Sequence, residues 1–217
     1  MKLVLISDTH EQHAQVTIPP CDVLVHAGDL TYRGSRQKTR DALEWLDRQP
    51  AKYVVFIAGN HDFFFKDYPS AAVDLLSDYP KLRYLNESGT EIDGVRFWGS
   101  PYTPKFFDWA FMYDRVDGEK LWGKIPYNLE VLITHGPPCG ILDQADPQKG
   151  SLHCGCSDLY DAIRAVGPRI HVFGHIHGGY GSQATVGTDW QVKPVYYNAS
   201  VVNEDYRVVN KPWEVTL

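Results

Sequence analysis

The sequence predicts an α/β fold, on three observations. First, five short apolar runs recur along the chain: KLVLI (2–6), CDVLVHAG (21–28), KYVVFIAG (52–59), LEVLITHG (129–136) and RIHVFGH (169–175). Each is rich in branched residues and closed by glycine or a polar residue, which fits strands buried on both faces. Second, helical patterns lie between them. In 35–50, Ser35 takes the N-cap position, Ala42, Leu43 and Leu46 fall at helical spacing, and Pro50 closes the segment. Segment 69–80 carries Pro69 in its first turn, and 156–168 ends on Gly167 and Pro168. Third, some segments alternate. TEIDGVRFWGS (90–100) turns at Asp93–Gly94, a strong hairpin signal. PVYYNASVV (194–202), YRVV (206–209) and WEVTL (213–217) read as antiparallel strands that finish a sheet. One mixed sheet, or two packed sheets, flanked by helices follows. Residues 1–217 read as a single domain, since no linker, repeat or low-complexity tract divides them.

Charge and cysteine usage narrow the function. Lys plus Arg number 21 against 27 Asp plus Glu, a formal net charge of −6. The one short basic stretch, SRQKTR (35–40), reads as a solvated helix face. A general nucleic-acid grip needs clustered cations and is excluded. A small anionic ligand remains open where the site brings its own positive charge. Cys21, Cys139, Cys154 and Cys156 are too sparse for a disulfide scaffold, and HCGC is C-x-C, not the C-x-x-C of common zinc sites. Free thiols in packed loops are the default reading over a small thiol cluster. The N-terminal apolar run, Leu3 to Ile6, is too short for a secretion signal, and no stretch approaches the ~20 apolar residues of a membrane span. The expectation is a soluble, cytoplasmic protein with no membrane partner.

The chemistry gathers where the strands end. Asp8 and His10 follow the first run, and Asp29 the second. Asn60, His61 and Asp62 follow the third, His135 the fourth, and His175 and His177 the fifth. That edge of an open α/β sheet is where sites form. Asp-x-His, Gly-Asp or a lone histidine after a strand each has a bland structural explanation. Five accidents at one end of five parallel strands do not, and the conjunction reads as a metal centre. His175 and His177, two apart between glycines, are free to point at neighbouring ions.

In order and complete, the pattern D-x-H … G-D … G-N-H-D … H … G-H-x-H over residues 8–177 resembles the calcineurin-like metallophosphoesterases. The strings GPPCGILD (136–143) and HVFGHIHGGYG (171–181) further resemble the subfamily of metallophosphoesterase-domain brain proteins. The resemblance implies an allocation. Asp8, His10 and His177 would bind one ion, Asn60, His135 and His175 the other, and Asp29 would bridge them. His61 would face the substrate as a catalytic residue, and Asp62 would orient it. With the resemblance, the expected architecture is two packed mixed β-sheets flanked by helices, a four-layer α/β/β/α sandwich. The expected function is a dinuclear phosphoesterase, with a phosphodiesterase on nucleotide-like or cyclic-nucleotide diesters preferred over a phosphomonoesterase. A metal-bridging hydroxide would attack a small-molecule phosphoester, with His61 serving the leaving alkoxide or clamping the phosphate. Mixed imidazole, carboxylate and amide ligands suit Mn, Fe, Zn, Co or Ni better than Mg or Ca, with Mn the first choice.

Two other classes compete with this reading. A non-catalytic scaffold on this fold is disfavoured by the intact ligand set. An HD-type phosphohydrolase is disfavoured because its motif sits on helices, whereas His61–Asp62 follows a strand. No P-loop motif is present. FFF (63–65) reads as core rather than pocket wall, and His26 and His171 as satisfied core histidines. His13 and Arg33 read as solvated surface, and His153 is unassigned. Asn198 supports the site or serves a turn.

Overall fold

The computed structural model describes residues 1–145, 150, 152–185 and 193–217. The five apolar runs are strands: β1 (Lys2–Ile6), β2 (Cys21–His26), β3 (Ala51–Phe56), β9 (Val131–Thr134) and β10 (Ile170–Phe173). They divide between two sheets. One has the order β13-β1-β2-β3-β4, completed by β4 (Leu82–Tyr84) and β13 (Trp213–Thr216). The other has the order β11-β12-β10-β9-β6-β5, completed by β5 (Ser88–Ile92), β6 (Val95–Ser100), β11 (Gly181–Ala184) and β12 (Val195–Asn198). A small pair, β7 (Thr103–Pro104) with β8 (Met112–Tyr113), stands apart.

Strand periodicity explains why the runs are apolar throughout. Leu3, Leu5, Val23, Val25, Val55 and Ile57 pack against Phe97, Val131, Ile133, Ile170 and Val172, so the two sheets share one core between them. The alternate residues Val4, Ile6, Leu24, Val54 and Phe56 face the other way. There they meet α1 (Arg36–Arg48) through Ala42, Leu43 and Leu46, and α3 (Pro69–Leu76) through Ala72 and Leu75. On the far side, Leu132 and Phe173 meet α4 (Gly118–Trp122) and α5 (Ser157–Val166) through Leu121, Trp122, Leu159 and Ile163. The result is the expected α/β/β/α layering.

Local signals act as read. The Ser35 hydroxyl accepts from the Lys38 N–H. Gly167 closes α5 in the left-handed region at φ 63°. Asp93 and Gly94, at φ 48° and 79°, make the turn between β5 and β6. Phe64 and Phe65, on α2 (Phe63–Asp67), are buried in the helix-side core. The four cysteines are free. No helix among the described residues is long and apolar enough to cross a membrane.

Two expectations about the C-terminal segment are corrected. β12 is antiparallel to β11 but parallel to β10, so it extends the parallel part of its sheet. YRVV is not a strand; only Val208 makes an isolated bridge, to Val202. The Asn203 side chain accepts from the N–H groups of Asp205 and Arg207 at 3.1 and 2.9 Å, winding the segment into a turn. Tyr206 sits in that turn at φ 57°.

His26 and His171 are core histidines. His26 Nδ1 accepts from the Gly28 N–H at 3.3 Å, so its Nε2–H donates to Thr9 Oγ1 at 3.1 Å. The Thr134 hydroxyl donates to Gly136 O at 2.7 Å, so it accepts from His171 Nε2–H at 2.8 Å, and His171 Nδ1 stays buried without a partner. Burial pushes both imidazoles down from 6.5 to about 3. The unfolded chain therefore binds these protons first, and stability contributed by the neutral rings falls as pH drops from 6.5 towards 3. Unfolding free energies from urea titrations with a chelator present should decline over that range, by up to ~1.4 kcal/mol per pH unit per group. His171→Gln should decline less steeply than wild type; parallel slopes would contradict the assignment.

Candidate metal centre

The expected residues meet at one edge, where the C-terminal ends of β1, β2 and β3 face those of β9 and β10. Backbone hydrogen bonds stitch the loops together. Asp8 N–H donates to Gly28 O at 2.9 Å, His10 N–H to Asp29 O at 3.0 Å, and Gly174 N–H to His135 O at 3.0 Å. His175 N–H donates to the Asp8 carboxylate at 3.1 Å, joining one sheet's loop to the other's. Asp8, His10, Asp29 and His175 all adopt positive φ, at 56°, 41°, 56° and 65°. Four non-glycine residues so placed mark stored strain of the kind found at functional sites.

Glycine permits the crowding at two points. Gly28 has φ 99° and lies against Ala58 O and the His135 ring. A Cβ on Gly174 would collide with the Asp8 carboxylate and the Ser7 hydroxyl.

Three groups of donor atoms each lie within 4.8 Å of one another: Asp8–His10–His177, Asp29–His135–His175, and His10–Asp29–His61. Asp29 is shared by the last two. Its Oδ1 accepts from the His61 N–H at 2.8 Å. Its Oδ2 stands 3.2 Å from His135 Nε2, 3.8 Å from His10 Nε2 and 4.0 Å from His61 Nε2. His135 Nδ1–H donates to Ala27 O at 2.9 Å, which aims the Nε2 lone pair at Asp29 Oδ2 and at Asn60 Oδ1, 2.8 Å away. His10 Nε2 and His177 Nε2 face each other at 3.4 Å, and His177 Nε2 lies 3.7 Å from Asp8 Oδ1. Lone pairs thus converge on lone pairs, an arrangement that needs a positive charge among them. The donor set fits metal cations.

The electrostatics without metal point the same way. Burial favours neutral Asp8, but the His177 hydrogen bond and charge outweigh it and hold the carboxyl far below its usual range. Burial also opposes ionisation of Asp29, and neighbouring His135 overrides it. Burial works against a charged His135, yet the Asp29 carboxylate raises it to about 9. His10 and His175 are pushed down to about 4 and 3, chiefly by burial. Protons on His135 and His177 stand in for cations, so metal uptake must displace them.

His61 faces the cavity as expected, but Asp62 does not orient its ring. The His61 ring is held by Tyr32 O, which accepts from Nδ1 at 2.9 Å. Asp62 does not touch that ring. Its carboxylate accepts from the N–H groups of Leu30, Thr31 and Gly59 and from the Thr31 hydroxyl. It locks the Asp29 loop to the Asn60 loop and shapes His61 through the backbone. Burial and the Asp29 charge raise its carboxyl to about 6. Asn198 takes the supporting role: its Nδ2 donates to Ile176 O at 2.7 Å, bracing the loop between His175 and His177. His13 is partly buried beside Trp45, and Arg33 is exposed.

A cavity of about 520 Å³ opens over this edge, lined by Asp29, Asn60, His61, His175 and His177 among others. Several of its residues carried no sequence signal. Trp109 packs its ring 4.2 Å from His61, and Phe106 lies 5.6 Å from His175. Tyr206 stacks on Tyr32 at 5.2 Å and stands edge-on to His10 and His177 at 4.9 and 5.0 Å.

The family model of the calcineurin-like phosphoesterases matches residues 1–179. Human metallophosphoesterase domain-containing protein 1 is 37% identical over 240 residues, an alignment covering 100% of this chain and 71% of that protein. A Caenorhabditis elegans UPF0046 protein is 35% identical over 226 residues, with 98% of this chain and 73% of that protein covered. Among solved structures, a phosphopantetheinyl hydrolase from Mycobacterium tuberculosis superposes with a TM-score of 0.61 at 16% identity, covering 99% of this chain and 95% of that one.

Gly174→Ala should displace Asp8 and cost the ion that Asp8, His10 and His177 would hold, while the fold survives. Elemental analysis after manganese loading and dialysis should read about one ion per chain in place of two; two retained ions would contradict the packing described.

Proposed function

Because the chain belongs to the calcineurin-like phosphoesterase family, we propose that it is a dinuclear metal-dependent phosphodiesterase acting on nucleotide-like or cyclic-nucleotide diesters. The convergence of imidazole, carboxylate and amide donors about Asp29 carries the reading. Asp8, His10 and His177 would hold one ion, and Asn60, His135 and His175 the other, with Asp29 between them. Two bound cations supply charge neutralisation for the phosphoryl oxygens and lower the pKa of bound water towards 7.

The chain's own residues do the rest. Asp29 and Asp8, buried and ionised, keep the centre from becoming so positive that product is trapped. His61 has Nδ1–H committed to Tyr32 O, so when the ring is an imidazolium its second N–H, on Nε2, lies on the Asp29 side at the cavity and is the proton available for transfer. From there it can protonate a leaving alkoxide, a transfer typically worth ~10²–10⁴-fold. Trp109 restricts the His61 ring from one side. The aromatic wall of Phe106, Phe107 and Trp109 suits an organic arm beside the phosphorus better than a bare phosphate. Manganese is the first metal to try, on ligand type.

Stripped protein reconstituted with Mn²⁺ should turn over bis(p-nitrophenyl) phosphate and cyclic nucleotides faster than p-nitrophenyl phosphate. The reverse order would favour a monoesterase. Asp29→Ala should lose both ions and nearly all turnover. His61→Ala should keep its metal and lose ~10²-fold or more in kcat. Metal loss in His61→Ala would show that it is a ligand instead.

A further inference from the structure

We propose that the cavity carries a second anion subsite, formed by Lys105, Arg115 and His153, which selects phosphoesters whose organic arm bears a flat ring and a further phosphate. The inference rests on the phosphoesterase reading and names the substrate features beyond the scissile group.

The three side chains belong to one contiguous corner. Lys105 N–H donates to Tyr113 O at 2.9 Å, closing the loop that runs between β7 and β8. That closure sets Lys105 beside the segment that leads, two residues on, into Arg115. Arg115 Nη1 donates to Gly155 O at 3.4 Å. Gly155 N–H donates to Asp143 Oδ2 at 3.1 Å, and Asp143 Oδ1 accepts from His153 Nδ1–H at 2.6 Å. Asp143 is 1% exposed and also takes the Gly140 N–H, so it acts as a buried anchor that fixes the imidazole. The His153 ring is 55% exposed, and among the described residues its Nε2 has no hydrogen-bond partner. Lys105, Arg115 and His153 all line the cavity that contains the metal donors.

The charges of Lys105 and Arg115 are uncommitted. Lys2, Lys38, Arg48, Lys52, Arg96 and Lys124 each face a carboxylate within 3.1 Å. Among the described residues no carboxylate pairs with Lys105 or Arg115. Glu204, also in the lining, is engaged by the Gly178 N–H at 2.6 Å. In a chain of net charge −6, unpaired cations gathered around one cavity mark an anion site. Arg115 brings the planar fork that binds phosphate in two places.

The loop from Lys105 to Phe111 carries the aromatic residues between the two charged regions. Phe106 and Phe107 are 51% and 67% exposed, unusual for large apolar side chains, and Trp109 touches His61. A ring stacked there would hold one phosphate at the donor cluster and present another to the cationic corner. The volume, about 520 Å³, accommodates a ligand of nucleotide size.

The test is calorimetric titration of Mn²⁺-loaded protein with adenosine 5′-monophosphate, adenosine 3′,5′-bisphosphate and adenosine 2′,5′-bisphosphate. At least one bisphosphate should bind about tenfold tighter than the monophosphate or better, as expected of a charge-assisted phosphate contact. Arg115→Ala and His153→Gln, both at partly or fully exposed positions, should each erase most of that ratio. Equal affinities for all three nucleotides, no binding of any, or an advantage that survives both substitutions would overturn the proposal. Turnover of the dye diester is scored separately, so loss of the second-anion preference with hydrolysis intact is distinct from failure of the phosphodiesterase reading.

Discussion

Asp29 is the point on which the structure turns. It follows β2 in a left-handed conformation, buried, with one oxygen tied to the His61 backbone and the other open to three imidazoles from both sheets. A carboxylate in that position is costly unless positive charge meets it. The surrounding loops supply further lone pairs instead of fixed cations, so the charge must come from bound ions or from protons on His135 and His177. The edge of the molecule is therefore built around an electrostatic demand, and the strain at Asp8, His10 and His175 is part of how that demand is created.

Two-sheet packing is what makes this possible. The core between the sheets is all aliphatic and aromatic, from Leu3 and Val25 to Val131 and Val172. It brings the C-terminal ends of two parallel sets level with each other, so loops distant in sequence face across a short gap. The links that register them are specific: His175 N–H to Asp8, His135 Nδ1–H to Ala27 O, and Asp62 to the loops of Leu30 and Gly59. Asp62 and Asn198 act as fasteners behind the donors, which is why neither needs to touch the cavity to matter.

The cavity combines two kinds of surface. Near Asp29 it is lined by imidazole, carboxylate and amide; beyond, by the aromatic loop and by cations. In the proposed reading the first kind would set the reaction that is open to the chain, and the second would choose among substrates. Loops of the second kind are free to vary without disturbing the strands that carry the first.

Periodicity and punctuation alone determined the five parallel strands, three main helices, the Asp93–Gly94 hairpin and the nine residues at the strand ends. These are local in origin: a strand buried on both faces must be apolar at every position, and a turn at positive φ must use glycine, asparagine or aspartate. Tertiary structure alone decided the rest. That Tyr32 O and not Asp62 holds the His61 ring, and that YRVV is a turn with Tyr206 over the histidines, depend on atoms far apart in the chain. So do the contacts of Trp109 with His61 and of His153 with Asp143. Such pairings leave no period or spacing in a single sequence, because the partners are chosen by how two sheets pack and not by their neighbours along the chain.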